Sequence, residues 1–259
     1  MSTMESQCAI NKKYIEYIVL AGYTPIPICE GSVDQEKIQA VISDQAILCD
    51  GLLLPGGIDV EPTFYGDTNY SSNNCDPDKD NFERFVMSKF MAEAKPIFGI
   101  CRGFQLLART YLSSLRGKGT SPVSYTQHIN NHSQVSSLGA KRGTPTHRVG
   151  VDYATLYNAK VNGDPWNWMF VNSMHHQGVC VQNMKEYAKT VNPFRILGYT
   201  DHAMNAGKTK TFLVEAFEVY DLYGSHVRAV QWHPEEMKDY QLLSAFFEST
   251  GKGKKENKA

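Results

Sequence analysis

Cys101 stands at the centre of Gly99-Ile100-Cys101-Arg102-Gly103. The apolar run PIFGI leads into it and the helical pattern RGFQLLARTYLSSL follows it. That G-x-nucleophile-x-G spacing is the pattern of a nucleophile elbow. A sharp strand-to-helix turn pushes the thiol out at the carboxyl edge of a sheet. Glycines on either side let neighbouring backbone approach without a Cβ clash. The helix N-terminus favours a thiolate. A buried cysteine at a strand end with incidental glycines would show the same spacing.

A thiol nucleophile needs a base, and the base needs an orienter. The segment AVQWHPEE offers His233 and, two residues on, Glu235. In an extended segment those two side chains point the same way. Pro234 biases His233 toward extended geometry. Glu236 would point to the opposite side. An ordinary surface histidine at a strand end is the alternative reading. Pro55-Gly56-Gly57 follows the apolar run CDGLLL. A Gly-Gly turn there exposes backbone N–H groups where parallel sheets bind ligands. With the N–H of Arg102 it would complete a two-donor oxyanion hole. Taken alone it reads equally well as a simple turn.

The elements that must position these groups alternate in the first half. NKKYIEYIVLAG, VDQEKIQAVIS, DNFERFVMSKFMAEA and RGFQLLARTYLSSL read as amphipathic helices. TPIPI, CDGLLLP and PIFGI read as strands. Such alternation implies a parallel sheet covered on both faces. In the second half HRVGVDYATLY, RILGYTDHA, TFLVEAFEVYD and HVRAVQWHP read as strands, and MKDYQLLSAFFEST as a closing helix. DPWNWMF reads as a flank of the loop before VNSMHHQ, with Trp166 and Trp168 as packing residues. Residues 117–146 are polar and weakly periodic. The expected organisation is one domain over residues 1–250 and a solvated basic tail over 251–259.

Composition narrows the function classes. The chain has 259 residues with 26 Lys+Arg, 27 Asp+Glu and a net charge of −1. That balance gives no reason to expect nucleic acid or a membrane surface as a partner. No apolar run is long enough to span a bilayer, and no leader peptide is apparent. Cysteines at 8, 29, 49, 75, 101 and 180 form no C-x-x-C pair and read as reduced thiols, so a cytoplasmic location is expected. His128 and His132 lie four apart, but HINNH lacks a third ligand, and no metal site is expected there. His147, His202 and His226 show no partner signal.

LLLPGGIDVEPTFYGD, PIFGICRGFQLL, VNSMHHQGV and AVQWHPEE, in that order, resemble the class I glutamine amidotransferase superfamily. They look most like its γ-glutamyl hydrolase branch, which includes γ-glutamyl-γ-aminobutyrate hydrolases. The resemblance covers nearly the whole chain. It implies a three-layer αβα sandwich of the flavodoxin-like type around a mostly parallel sheet, with a small antiparallel β portion. It implies a Cys101–His233–Glu235 triad and an oxyanion hole at the backbone of Gly57 and Arg102. It places Gln105, Asn172, Ser173, His175, His176 and Gln177 near the substrate, and matches Asp59, Asp80 and Glu83 to family positions. Lys79 stands where the family usually has Arg.

The implied reaction is hydrolysis of a small γ-glutamyl amide through a thioester, with no metal or organic cofactor. A homodimer is compatible with this reading. The chain departs from the family in two places. MSTMESQCAI makes a poor opening strand, and the Gly-Gly turn and acidic residue usual after the nucleophile helix are missing from LLARTYLSSLRGKGTSPVSYTQHI. Two other functions use the same motifs: a glutaminase subunit feeding ammonia to a synthetase, and a non-catalytic homologue. An α/β-hydrolase shares the elbow spacing, but its acid precedes its histidine by a long stretch.

Overall fold

The computed structural model describes residues 9–29, 35–113, 123–130, 132–133, 139–181, 194–200, 204–206, 209–220 and 224–251. The opening segment before Ala9, His202 and the tail from 252 lie outside the described residues.

Helix α1 (Lys12–Leu20) starts at Asn11, whose side chain accepts from Lys13 N, and stops at Gly22, where φ is 93°. Capping of this kind satisfies donors that the first turn leaves open. Helix α2 spans Gln35–Leu48 and strand β1 Leu52–Leu54. Helix α3 (Pro77–Ala92) is capped by Asp76, with Pro77 in its first turn and Asp78 and Asp80 at its positive end. Strand β2 (Ile97–Ile100) is buried throughout, and α4 (Arg102–Ser113) follows it with Cys101 between them.

The second half supplies β3 (Val123–Thr126), β4 (His147–Asp152), the short helix α5 (Tyr153–Leu156), β5 (Trp166–Val171) and β6 (Gly178–Val181). Then come β7 (Phe194–Thr200), β8 (Met204–Ala206), β9 (Thr209–Tyr220) and β10 (His226–Val230). Helices α6 (Pro234–Met237) and α7 (Tyr240–Ser249) close the chain.

The sheet runs β1-β2-β10-β9-β7-β4-β5. Its site-bearing part is parallel: Leu54 is in register with Gly99, and Gly99 with Ala229. From β10 onward the pairing is antiparallel, and β6 joins β3 to β9 on a side branch. Successive residues of β2 face opposite ways, as the pleat requires. Ile97 packs with Ile42, Val86, Phe90 and Leu107 from α2, α3 and α4. Phe98 packs with Tyr17, Leu242 and Phe246 from α1 and α7. Helices on both faces of a sheet whose β1-β2-β10 part is parallel make this a mixed α/β fold of the flavodoxin-like kind.

Several elements differ from the sequence reading. TPIPI is not a sheet strand, because Pro25 and Pro27 have no N–H to give to a ladder. HRVGVDYATLY ends its strand at Asp152, whose carboxylate accepts from Thr155 N and starts α5. DPWNWMF contains a strand, β5, at the sheet edge. Its residues outside the last are mostly exposed, so the apolar alternation that marks a half-buried strand is missing. Trp166 and Trp168 pack on Tyr199, with Arg148 over the Trp168 ring. Among the described residues, no helix is long and apolar enough to cross a membrane.

Candidate active site

Three parallel strands end at one edge, and each delivers one part of the site there. β1 runs into Pro55-Gly56-Gly57, β2 into Cys101, and β10 into Gln231-Trp232-His233. Cys101 adopts φ of 51°, a left-handed conformation that costs a non-glycine residue energy. The surroundings hold it there. Its N–H donates to the Val230 carbonyl at 2.9 Å, and its carbonyl accepts from Gln105 N at 3.0 Å. Gly103 N donates to Pro55 O at 3.1 Å. A Cβ on Gly103 would come within 2.3 Å of the Leu54 carbonyl oxygen. A Cβ on Gly99 would lie 2.9 Å from the Gly103 backbone. The two glycines of the elbow thus answer to close backbone approach.

His233 is buried and caps α6, with Pro234 at the first helical position. Its Nδ1 lies 2.6 Å from Glu235 Oε1. Glu235 reaches the ring from the first turn of α6 and not from an extended strand, so the i, i+2 pairing holds with different backbone geometry. Nδ1 thus faces Glu235, which leaves Nε2 as the ring nitrogen available to Cys101. Burial works against charge on this imidazole. The negative charges at Cys101 and Glu235 outweigh it and raise the ring from 6.5 to about 10. Glu236 points away and takes Arg142 Nε at 2.6 Å.

Arg102 opens α4, so its N–H has no carbonyl one turn back to bind. Gly57 lies beside it, since a Cβ there would meet Arg102 Cδ at 3.0 Å. The Arg102 side chain is fully buried in ion pairs with Asp80 and Glu83. It therefore serves the frame and not a substrate carboxylate. Burial pushes the Asp80 carboxyl up, against the pull of its hydrogen bond from Glu61 N and of Arg102. Lys79 bridges to Glu83 at 3.0 Å and remains partly exposed.

Most of the residues matched to substrate-side positions are buried and hydrogen-bonded within the chain. Asn172 is fully buried. Its Oδ1 accepts from His233 N at 2.9 Å, and its Nδ2 donates to His233 O at 3.1 Å and Arg142 O at 2.8 Å. Ser173 is buried and its hydroxyl donates to the His132 carbonyl. The Gln177 side chain spans Tyr125 Oη and Ser72 Oγ, while its carbonyl accepts from Gln105 Nε2 at 3.3 Å. Gln105 also reaches Gln231 Oε1 at 3.4 Å. Only His176 among them is partly exposed, with Nε2 2.9 Å from Asp59 Oδ2. Inside a folded chain, Asn and Gln amides that look like ligand hooks in sequence find backbone partners first.

Tyr14 lies in NKKYIEYIVLAG, which the sequence marks only as an amphipathic helix. Its hydroxyl accepts from Gly56 N at 2.8 Å and lies 3.5 Å from His233 Nδ1. Burial, reinforced by Glu235 and Cys101, pushes its phenol far up and keeps it neutral. A contact across 219 positions leaves no local signal in the sequence. His128 and His132 do not pair. His128 is exposed and bonds Asn130 at 2.8 Å, while His132 turns inward toward His175 and Glu215.

The chain is 31% identical over 195 residues to YvdE, a glutamine amidotransferase-like protein of Lactococcus lactis, covering 75% of this chain and 69% of that one. It is 28% identical to the γ-glutamyl-γ-aminobutyrate hydrolase PuuD of Escherichia coli K12, covering 92% and 84%. Among solved structures, the glutaminase domain of Trypanosoma brucei CTPS with bound acivicin aligns with a TM-score of 0.52 at 16% identity, covering 93% and 88%. That likeness is one of fold. The family model Peptidase C26 matches residues 1–235, so the chain belongs to the Peptidase C26 family, which is class I glutamine amidotransferase-like.

Proposed function

We propose that this protein is a cysteine hydrolase that cleaves the γ-glutamyl amide bond of a small compound. The observation that carries the reading is a strained Cys101 beside a His233 whose other nitrogen is held by Glu235. Strain kept at one exposed edge of the sheet is characteristic of a working nucleophile and not of an inert thiol. Family membership and the hydrolase relative support the reaction class.

In this reading the Cys101 sulfur attacks the γ-carbonyl carbon. The developing oxyanion takes hydrogen bonds from the N–H groups of Gly57 and Arg102. His233 gives its proton to the departing amine, and a thioester remains. Water then loses a proton to His233 and attacks the thioester, which releases the γ-carboxylate and restores the thiol. Tyr14 holds the Gly56 turn and Asn172 holds the His233 backbone, so both act through the groups that touch the reacting atoms.

The test is amine and ammonia release from γ-glutamyl amides and from free glutamine, with Cys101→Ala as the blank. Turnover of γ-glutamyl amides, lost in Cys101→Ala while substrate binding persists, is the expected result. The resemblance to a glutamine amidotransferase-like relative supports one other reading, a glutaminase. Ammonia release from glutamine alone would establish that reading instead. No turnover of any compound, with Cys101 inert to alkylation, would make the chain a non-catalytic homologue.

A further inference from the structure

A second cluster of reactive side chains lies outside the reaction site. Glu215 on β9 is fully buried. His132, His147 and His175 surround one of its oxygens. Their Nε2 atoms lie 3.3, 3.4 and 4.0 Å from Glu215 Oε1. The His132 ring sits 4.8 Å from the His147 ring and 4.6 Å from the His175 ring, centroid to centroid. Ligand atoms of His132, His175 and Glu215 all fall within 4.8 Å of one another. Among the described residues, neither Glu215 oxygen nor any of the three Nε2 atoms has a hydrogen-bond partner. Leaving a buried carboxylate and three imidazole nitrogens that are closed off from solvent unsatisfied is costly.

The tautomer of His175 sharpens the point. Its Nδ1 lies 2.8 Å from the Gln177 carbonyl, which can only accept. Nδ1 therefore carries the hydrogen. In the neutral ring, Nε2 then presents a lone pair toward a carboxylate. Two facing electron pairs repel unless a cation lies between them. A histidine that gives its other N–H to a backbone carbonyl is the usual support of a metal ligand. For bonds of about 2.0–2.1 Å, tetrahedral ligand atoms lie roughly 3.3–3.4 Å apart. Two of the three contacts to Glu215 have that spacing, and the third needs only a small ring movement.

We propose that His132, His147, His175 and Glu215 form a binding site for one divalent ion of the zinc class. Three imidazoles and one carboxylate suit zinc or its first-row neighbours better than calcium or magnesium. Four protein ligands close the coordination sphere, so the ion is structural and takes no part in the hydrolysis. It would join four separate stretches: the loop after β3, the start of β4, the loop at 172–177 and β9. The same loop carries Asn172, which grips the His233 backbone. The ion therefore stiffens the support of the candidate base without touching it.

The experiment uses the full chain freed of any histidine tag and stripped with dipicolinate. Titration with Co²⁺ should give visible bands of tetrahedral intensity that saturate at one ion per chain. Zn²⁺ should displace them and raise the thermal midpoint of the stripped protein. Cys101→Ala should bind like the wild type, since no thiolate is a ligand. His132→Asn and His147→Asn, at partly accessible positions, should each weaken binding by more than about 100-fold, since loss of an outer partner alone costs 10- to 100-fold. Failure of the folded, stripped wild type to bind either ion stoichiometrically would overturn the proposal. It would mean that the cluster is held by shared protons. Binding that survives both histidine substitutions would overturn it equally, because the ion would then sit elsewhere.

Discussion

Asn172 holds both backbone groups of His233 while nothing in its own neighbourhood in sequence says so. Replacing it with Ala would leave the buried His233 N–H without its partner, while the carbonyl keeps only Glu236 N, at a cost of about 1–3 kcal/mol. The ring would then drift relative to Cys101. We expect kcat of Asn172→Ala to fall roughly tenfold to a hundredfold with KM little changed, since a misplaced group loses rate before it loses binding. A KM effect with kcat intact would assign Asn172 to the substrate instead.

The pH profile tests His233 itself. Its pKa is raised, so the imidazolium persists below about pH 10 and is lost above it. Proton delivery to the leaving amine requires that form. The basic limb of kcat/KM should therefore lie near pH 10, and a limb near 6.5 would contradict the Cys101–His233–Glu235 coupling. The turn at Cys101 and the pairing of His233 with Glu235 were legible in sequence because their signals are local: glycines two residues away, and an acid two residues on. The contact of Tyr14 with His233 and the hydrogen bonds of Asn172 and Gln177 were not, because their partners lie far along the chain and burial, not residue type, decides whom they bind.

At the scale of elements, the elbow depends on how closely α4 crosses β1. Gly103 sits where a Cβ would press on the Leu54 carbonyl oxygen and on Leu54 Cβ, at 2.3 and 2.7 Å. Backbone cannot yield as a flexible side chain can. Gly103→Ala should therefore lower stability by about 1–3 kcal/mol and move Cys101 out of line. A lower thermal midpoint with slowed alkylation of Cys101 is the expected pair of results. An unchanged midpoint would show that the crossing has slack. The first-half helices could be read from their apolar stripes, and the structure adds the caps at Asn11 and Asp76. β3, β5 and β6 could not. β6 is buried on both faces and only four residues long, and β5 is an exposed edge. Neither shows the alternation by which a half-buried strand announces itself.

At the scale of the whole molecule, the antiparallel half is locked to the parallel half by one buried carboxylate. Glu218 on β9 binds Arg195 from β7 at 2.9 Å and, from β10, Arg228 at 3.1 Å and His226 at 3.2 Å. Burial alone would raise its pKa. The hydrogen bond from His226 and the charge of Arg228 overcome burial and bring it down to about 2. A depressed folded-state pKa contributes stability above the unfolded value of about 4.5 and loses it as pH falls through about 2. The contribution is about 3 kcal/mol for this shift.

Glu218→Gln should thus be less stable at neutral pH by about 3–5 kcal/mol, because the buried Arg228 guanidinium loses its charged partner. The gap to the wild type should narrow between pH 4.5 and pH 2 as the wild type loses the same charge. Urea midpoints measured on both proteins across that window test the idea. Parallel curves would mean that Arg195, Arg228 and His226 are balanced elsewhere and that the junction of β7, β9 and β10 rests on its apolar packing. In that case Val219 and Phe217, which pack on β7 residues from the same strand, would carry the junction, and Phe217→Ala would be the costlier substitution.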